Sequence, residues 1–473
     1  MPPSSASILL RWVFWGLIAI MALAPLPLGS NRPLPAALLM AATGGLLVLW
    51  SVHASFAAGA ITTGRLRPLA APALLYGVVL GWIALQASPL TAGMLQSWGH
   101  PLWQEAAGSL AAPLSSPISI DPAATLDGGL RLLAYASLFW LAFQLTRDPS
   151  RAAQARHAII AMGAAYSFYG LFALFGGEAW LLGTMGARPD QSLTSSFVNR
   201  NSYATFAGLT LLAALSLFLE RIRHLLAIDG SWRRKTALVI EHIVFQSRLL
   251  TAAIITTTLA LVLTTSRGGI FASLFALSAL LILQMPHRRG RDRQPLAIAV
   301  LIVVGTAIVA GGGNFIDRLE RQGLSLETDL RSTLFSTTIE AIKSAPLKGT
   351  GFGTYENAIE PYRANDPQIF ALWEKAHNTY LENALELGLP AALALNIAIF
   401  LLALIAYRGV RARRRHKSFP ALGVAATLLV GLHALVDFSL QIPAVAVLYA
   451  FMMGLAVAQS SPSNGNPVSA AQT

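Results

Sequence analysis

Residues 249–285 read LLTAAIITTTLALVLTTSRGGIFASLFALSALLILQM, two apolar runs joined by Ser266-Arg267-Gly268. Arg267 is the one charged residue in this stretch. A helix needs about 20 apolar residues to cross the hydrocarbon core of a bilayer. The stretch therefore predicts two membrane-spanning helices with a tight break of the chain between them.

The same pattern recurs along the whole chain. Its 473 residues are 55% hydrophobic and only 12% charged, whereas soluble domains average about 25% charged residues. We predict an all-α polytopic membrane protein with about twelve transmembrane helices and a large periplasmic loop. The candidate spans are residues 8–28, 34–54, 69–88, 129–146, 157–176, 202–219, 249–266, 268–285, 295–311, 387–407, 419–436 and 441–459.

The formal net charge of +12 does not indicate a nucleic-acid partner. The basic residues form short clusters between apolar runs, without base-stacking aromatic residues among them. With twelve spans, 22 of the 34 Lys and Arg residues fall on one side of the membrane. Because short basic loops stay cytoplasmic, we expect both termini in the cytoplasm.

Four regions follow from this topology. Residues 1–311 hold the first nine spans, and residues 387–459 hold the last three. Residues 312–386 form the large periplasmic loop, in which acidic and basic residues are mixed, as in a folded cap. The tail 460–473 is rich in polar residues and is predicted to be disordered and cytoplasmic.

The composition also excludes several kinds of chemistry. The chain has no cysteine, so it forms no disulfide, thiolate nucleophile or cysteine-ligated metal site. It has neither an HExxH motif nor an acidic DxD motif, which disfavours a divalent-metal glycosyltransferase. We expect no metal and no cofactor.

Two arginines are candidate anion ligands. Arg267 lies at the predicted membrane edge, where an arginine is costly unless it meets an anion, and its planar fork suits phosphate. Arg331 opens residues 331–343, which have apolar residues at helical spacing. We place Arg331 in the first turn of that helix, where a bound anion would offset its conflict with the helix dipole. The alternatives are a snorkelling arginine for Arg267 and a solvated loop arginine for Arg331.

The most informative motif surrounds His377. Thr379 and Glu382 match a capping box, so a helix is expected to begin near Tyr380. The positive end of the helix dipole would keep the imidazole of His377 neutral, as a general base requires. Backbone N–H groups at the same place favour phosphate. The alternative is a histidine with a structural role only.

Three other segments carry weaker signals. Residues 348–355 contain alternating glycines that permit a turn close to a ligand, but they lack the ending of a P-loop. Arg188 and residues 195–203 place polar groups before the sixth span. His433 and Asp437 lie four residues apart, which would put them on one helix face as a polar pair or as support for a site.

The order of these motifs resembles the O-antigen ligase and polymerase superfamily over roughly residues 160–455. The residues that carry the resemblance are Arg188, Phe197-Val198-Asn199-Arg200-Asn201, Ser266-Arg267-Gly268, Arg331, Pro346 through Gly351, His377-Asn378, Leu381-Glu382, Gly388-Leu389-Pro390 and His433 through Pro443. One departure is Arg200-Asn201, where other members often have Pro-Asn.

The resemblance implies a GT-C-like fold in the bacterial inner membrane and a periplasmic active site. It implies metal-independent, inverting glycosyl transfer from an undecaprenyl-pyrophosphate-linked glycan. The acceptor would be lipid A–core in a ligase, another lipid-linked glycan in a polymerase, or a protein in related transferases. Carried onto this chain, Arg267 and Arg331 would bind pyrophosphate, with Arg188 at a less certain family position, and His377 would be the essential histidine. Asn378, Glu382 and Asp437 are candidate supporting residues.

Ligase-like transfer is the leading interpretation, and polymerisation of lipid-linked repeat units is the nearest alternative. A transporter of lipid-linked glycans would place ionisable residues in mid-span, whereas the charged residues here lie mostly at span ends and in the large loop. A structural assembly partner without catalysis would predict no defect when His377 is changed.

Overall fold

The computed structural model describes residues 5–26, 28–56, 66–89, 97–111, 116–176, 192–226, 231–241, 245–285, 324–363, 373–413 and 417–461. Within these ranges every regular element is a helix. The helices are α1 (Ser5–Leu23), α2 (Pro33–Phe56), α3 (Ala70–Ala87), α4 (Pro101–Leu110), α5 (Pro122–Leu145), α6 (Pro149–Phe175), α7 (Arg200–Leu226), α8 (Trp232–Glu241), α9 (Arg248–Leu263), α10 (Arg267–Gln284), α11 (Leu324–Ser344), α12 (Tyr355–Arg363), α13 (Thr379–Leu387), α14 (Leu389–Ala412), α15 (Ser418–His433) and α16 (Pro443–Ala458). Short 3-10 turns lie at Leu28–Ser30, Arg67–Leu69 and Ser439–Gln441.

Seven of these helices are long and apolar enough to cross a membrane, namely α2, α3 with its preceding turn, α5, α6, α7, α10 and α14. Four shorter apolar helices are α1, α9, α15 and α16. Together they coincide with eleven predicted spans. The remaining one, 295–311, lies outside the described residues, so the count of twelve stays a prediction.

Several helices begin before the apolar run that predicted them. Asp121 caps α5, and its carboxylate accepts the backbone N–H groups of Ala123 and Ala124. Asp148 caps α6 and accepts the N–H of Arg151 at 2.8 Å. An aspartate cap satisfies backbone donors that a helix start otherwise leaves without partners. The capping residues, and not the ends of the apolar runs, therefore set these boundaries.

Helices α7 and α16 form the centre of the bundle. Helix α7 packs against α6, α9, α10, α15 and α16, and α16 is buried along almost its whole length. A helix that is apolar on all sides belongs in an interior. Large apolar side chains remain exposed on the surrounding helices, for example Leu49, Leu74 and Phe400, as lipid contact requires.

A buried ion pair joins three helices at the end of the bundle predicted to be cytoplasmic. Arg156 of α6 lies 2.8 Å from Glu220 of α7 and donates to Ser418 of α15 at 3.0 Å. Its guanidinium lies 4.3 Å from the ring centroid of Phe419. Because the charge is paired and hydrogen-bonded, its burial is tolerated.

Helices α11, α12 and α13 form a small cap with a hydrophobic core of its own. The core includes Leu334, Tyr355 and Leu385, and the hydroxyls of Thr338 and Tyr355 lie 2.9 Å apart. The cap comprises the described part of the predicted large loop. Its described residues form a packed unit, and the predicted periplasmic location of this region stays a prediction.

The glycine-rich turn packs against protein at two positions. Gly349 has φ +68°, and a Cβ there would lie 2.3 Å from the carbonyl oxygen of Glu386. Gly351 has φ +109°, and its Cβ would lie 2.3 Å from Ser119 Oγ. These two glycines thus allow close contact with α13 and with the segment before α5, and the predicted approach to a ligand is not needed to explain them.

Candidate active site

A polar cavity of about 360 Å³ lies where the cap meets the bundle, and we call it the His377 cavity. It is formed by the turn after α1, the segment before α7 and its first residues, the loop before α13, the turn before α16, and one side chain of α11. Its lining residues are Leu28, Asn31, Phe197, Val198, Asn199, Arg200, Asn201, Ser202, Arg331, Glu374, Lys375, His377, Phe438 and Ile442.

The cavity is electropositive. Arg200 and Arg331 contribute two cations against the single carboxylate of Glu374, while the third basic lining residue, Lys375, is paired with Glu382. Arg200 and Asn201 are also the first residues of α7, so the N-terminus of a long helix lies at the cavity wall. Backbone N–H groups and the positive dipole end favour an anion there. The cavity is thus suited to a multiply charged anion such as pyrophosphate.

His377 lies in the loop before α13 with a left-handed backbone, φ +51°. Its ring packs edge-on against Phe438, with 4.8 Å between ring centroids. The predicted capping box is wrong. The N-cap is Asn378, whose side-chain oxygen accepts the N–H groups of Tyr380 and Leu381 at 3.0 and 3.1 Å, so α13 begins one residue earlier than expected. The prediction that His377 immediately precedes a helix N-terminus is confirmed.

The side chain of Glu382 stabilises the loop that carries His377, instead of completing a capping box. Its carboxylate is 1% exposed and accepts the backbone N–H of Ala376 at 3.0 Å and Lys375 Nζ at 3.3 Å. On the other side of His377, the backbone N–H of Thr379 donates to the carbonyl of Ala434 at 2.9 Å. These bonds hold both flanks of His377 and thereby fix the backbone that carries its imidazole.

Two titratable groups next to Glu382 have shifted pKa values. Burial and the adjacent carboxylate of Glu382 raise the pKa of Glu386 to about 8. Burial opposes the charge of Lys375, but the carboxylates of Glu382 and Glu386 outweigh it and raise the pKa of Lys375. At neutral pH Lys375 is therefore a cation and Glu386 is mostly protonated.

Arg331 lines the same cavity as His377, but it does not lie in the first turn of its helix. Helix α11 already begins at Leu324, which places Arg331 in the interior. The expected conflict with the helix dipole is therefore absent, because that effect is confined to the first turn. Arg331 is a candidate anion ligand because it lines the cavity.

Arg267 flanks the cavity without lining it. It is the first residue of α10, after the N-cap Ser266, whose hydroxyl accepts the N–H of Gly269 at 3.3 Å. The same turn reaches the wall through Thr265, whose hydroxyl accepts a hydrogen bond from Arg200 at 3.3 Å. The predicted break between the two spans is confirmed. Arg188 lies outside the described residues.

His433 and Asp437 do not share a helix face, contrary to the sequence prediction, because α15 ends at His433. They are joined instead by a buried network. Thr205 Oγ1 lies 2.6 Å from His433 Nδ1 and donates to Ser439 Oγ at 2.9 Å, and Ser439 donates to Asp437. Asp437 also accepts a hydrogen bond from Asn201 Nδ2 at 3.1 Å. Asp437 therefore holds a residue of the cavity wall.

Backbone strain is concentrated around this cavity. Six described residues other than glycine have positive φ. Leu28 and His377 line the cavity, Ser30 precedes the lining residue Asn31, Thr265 is bonded to Arg200, and Ser195 lies two residues before Phe197. Strained residues of this kind persist where surrounding contacts enforce them, and they cluster at functional sites.

Three charged residues of the cavity, Arg200, Glu374 and Lys375, were not predicted from the sequence as site residues. Arg200 departs from the family pattern, but it opens α7 and lines the cavity. Glu374 and Lys375 lie within three residues of His377, and that proximity was the available signal. The turn around Asn31 gives no local signal, because only packing brings it beside α7.

No curated protein matches the chain at a significant level. Residues 252–396 match a protein-family model described as O-antigen ligase. The matched segment contains Arg267, Arg331 and His377, and it ends within α14. This match covers less than a third of the chain, and it supports membership of the O-antigen ligase superfamily through that segment.

Proposed function

We propose that this protein transfers a glycan from a polyprenyl pyrophosphate to an acceptor in the His377 cavity, on the periplasmic side of the inner membrane. The proposed donor is undecaprenyl-pyrophosphate-linked glycan, and the proposed acceptor is lipid A–core. One observation carries the proposal. Arg331 of α11 and His377 of the loop before α13 line one electropositive cavity, and both residues lie in the segment that matches the O-antigen ligase model.

In the proposed reaction, an acceptor hydroxyl oxygen attacks the anomeric carbon of the donor sugar. A bond forms between that oxygen and the anomeric carbon, while the bond from the anomeric carbon to the pyrophosphate oxygen breaks. The electron pair leaves with pyrophosphate, and His377 accepts the proton of the hydroxyl. A single displacement of this kind inverts the anomeric configuration.

Stabilisation of the leaving group is assigned to the arginines. Negative charge grows on pyrophosphate as the bond breaks, and cations fixed in advance stabilise that transition state. Arg331 and Arg200 line the cavity, and Arg267, two residues after the Thr265 that bonds Arg200, would contribute if the donor extends towards α10. With these cations, the proposed reaction needs no metal ion.

The test is transfer by purified protein in liposomes with a defined donor and acceptor. We expect His377→Ala to lower kcat by about 10²-fold or more, and Arg331→Ala by about 10- to 10³-fold. His157→Ala and Arg408→Ala are matched controls, because both side chains are exposed and lie outside the cavity. If well-folded His377→Ala protein retained wild-type transfer, His377 would be ruled out as the general base.

The choice of acceptor is tested by deleting the gene in its native host. Long glycan left on the polyprenyl carrier, together with bare lipid A–core, is the expected result for a ligase. Single repeat units would identify a polymerase instead. Repeat units that accumulate on the cytoplasmic leaflet would replace the enzyme proposal with a transporter.

A further inference from the structure

A second cavity, of about 660 Å³, lies on the other side of the His377 loop, and we call it the apolar cavity. Four helices surround it, since α3 packs on α5, α5 on α16, α16 on α14 and α14 on α3. Its deep walls are mostly aliphatic and aromatic, with Phe139, Trp140, Leu402 and Met453 among the lining residues.

The apolar cavity has the dimensions of a lipid chain. Along α5 its lining extends from Ala124 to Trp140, a rise of about 24 Å at 1.5 Å per residue. At roughly 30 Å³ for a group the size of a water molecule, it holds on the order of twenty methylene-sized groups. This is enough for one aliphatic chain, or for a segment of a longer one.

The cavity also has a lateral opening. Ala73 and Gly77 of α3 both line it and are exposed, which places an opening beside α3. Helix α3 is one of the helices long and apolar enough to cross a membrane, and Leu74 and Val78 on it are exposed as well. A chain could therefore enter sideways from the bilayer.

One end of the cavity is polar and contains two buried hydrogen-bond donors without a partner among the described residues. Arg131 pairs with Asp127 at 2.7 Å, and Lys375 pairs with Glu382 at 3.3 Å, so these charges largely cancel. Arg131 Nε and Gln441 Nε2 are buried atoms that make no hydrogen bond to any residue in the described ranges. Buried N–H donors need acceptors, and a head group rich in oxygen atoms supplies them.

The polar end adjoins the proposed active site, because Lys375 lines both cavities. We propose that the apolar cavity binds the aliphatic chain of an amphipathic lipid, with the lipid's oxygen-rich head group against Arg131 and Gln441. This site goes beyond the proposed transfer reaction, since it concerns binding and does not depend on the chemistry of His377. Polyprenyl phosphates, lipid A and membrane phospholipids share the required chemistry.

The test is photocrosslinking in proteoliposomes with a phospholipid that carries a diazirine at mid-chain. We expect crosslinks on cavity-lining residues of α3, α5 and α14. Gly77→Trp should lower this labelling at least about fivefold, because Gly77 lines the cavity and a Cβ there meets nothing within 4 Å, which leaves room for the indole. Gly45→Trp is the matched control, since Gly45 has equally open surroundings on α2 and does not line the cavity.

Competition identifies the source of the lipid. Unlabelled undecaprenyl phosphate, lipid A or phospholipid is added in turn, and the strongest competitor is assigned to the site. Labelling confined to the outer surface, or unchanged by Gly77→Trp, would overturn the proposal. Ala136→Phe on α5 provides a second cavity-filling variant if Gly77→Trp fails to fold.

His377→Ala separates this proposal from the transfer reaction. The variant should keep wild-type labelling of the apolar cavity, because its substitution lies on the other side of the loop. Labelling that persists while transfer proves independent of His377 would refute the proposed function and leave the lipid site intact.

Discussion

At the scale of single residues, the position of His377 depends on side chains that do not line its cavity. Glu382 holds the backbone of Ala376 and the ammonium group of Lys375, and Asn378 caps the helix that follows. The left-handed backbone of His377 is strained for a residue with a Cβ. These neighbours supply the contacts that keep it in place.

Removing the carboxylate of Glu382 should therefore reduce catalysis indirectly. In Glu382→Ala, the N–H of Ala376 and the ammonium of Lys375 lose a buried acceptor, which costs about 1–3 kcal/mol. We expect kcat to fall by roughly tenfold, with the KM for the donor changed much less. Glu382→Gln keeps an acceptor for Ala376 and should recover most of the loss. Transfer kinetics and thermal unfolding measure the two effects, and equal kcat for Glu382→Ala and wild type would refute the role.

The raised pKa of Glu386 predicts that the stability of the protein depends on pH. Its pKa is about 8 in the folded protein, against 4.5 as its ordinary value. Between these values the folded state holds a proton that the unfolded state has released, so stability falls as pH rises. Glu386→Gln, which is always neutral, should flatten this slope between pH 5 and pH 8. Melting temperatures of both proteins across that range provide the test, and parallel curves would contradict the assignment.

At the scale of helices, the cap contains a short helix, α13, whose two ends are each defined by a particular residue. Helix α13 has nine residues, and a helix this short is marginal without packing and a cap. Its C-terminus continues into α14 through Gly388, which has φ +77°. A Cβ there would lie 2.4 Å from the carbonyl oxygen of Leu347, so glycine is required at this junction.

The stability of the start of α13 should depend on its N-cap residue, Asn378. Asn378→Ala removes the acceptor for two backbone N–H groups, a loss of about 1 kcal/mol. We expect a lower melting temperature and reduced kcat, because the loop carrying His377 loses its fixed end. Asn378→Asp keeps a capping oxygen and serves as the control. If Asn378→Ala and Asn378→Asp unfolded at the same temperature, the N-cap hydrogen bonds of Asn378 would not contribute to stability.

At the scale of the whole molecule, the proposed function depends on which side of the membrane the cap occupies. The arginine-rich clusters predict that the ends of α6 and α14 near Arg151 and Arg411 are cytoplasmic. The cap then lies on the opposite, periplasmic side. This orientation rests on charge distribution, and it is open to direct measurement.

Single-cysteine labelling tests the orientation cleanly, because the protein has no cysteine of its own. Ser336→Cys on α11 and Ser150→Cys on α6 are near-isosteric changes at exposed positions. A membrane-impermeant maleimide should label Ser336→Cys in intact spheroplasts and Ser150→Cys only after permeabilisation. The reverse pattern would place the His377 cavity in the cytoplasm and refute a periplasmic reaction.

Local patterns in the amino-acid sequence were enough to predict the helical membrane architecture and the kind of chemistry to look for. Runs of apolar residues and the break at Ser266-Arg267-Gly268 are local properties, because each helix satisfies its own backbone hydrogen bonds. Eleven apolar helices could therefore be located from composition alone. The motif at His377 likewise placed that residue just before a helix, although the choice between Asn378 and Thr379 as the cap required atomic geometry.

Which of these residues meet depends on how the helices pack in three dimensions. Arg200, Arg331 and His377 line one cavity because the cap packs onto the start of α7, and no local pattern encodes packing between distant segments. The same holds for Glu382, whose spacing fits a capping box but whose carboxylate turns towards Ala376 and Lys375. Burial removes such a group from water, so the partners available within the fold, and not its sequence neighbours, determine what it binds.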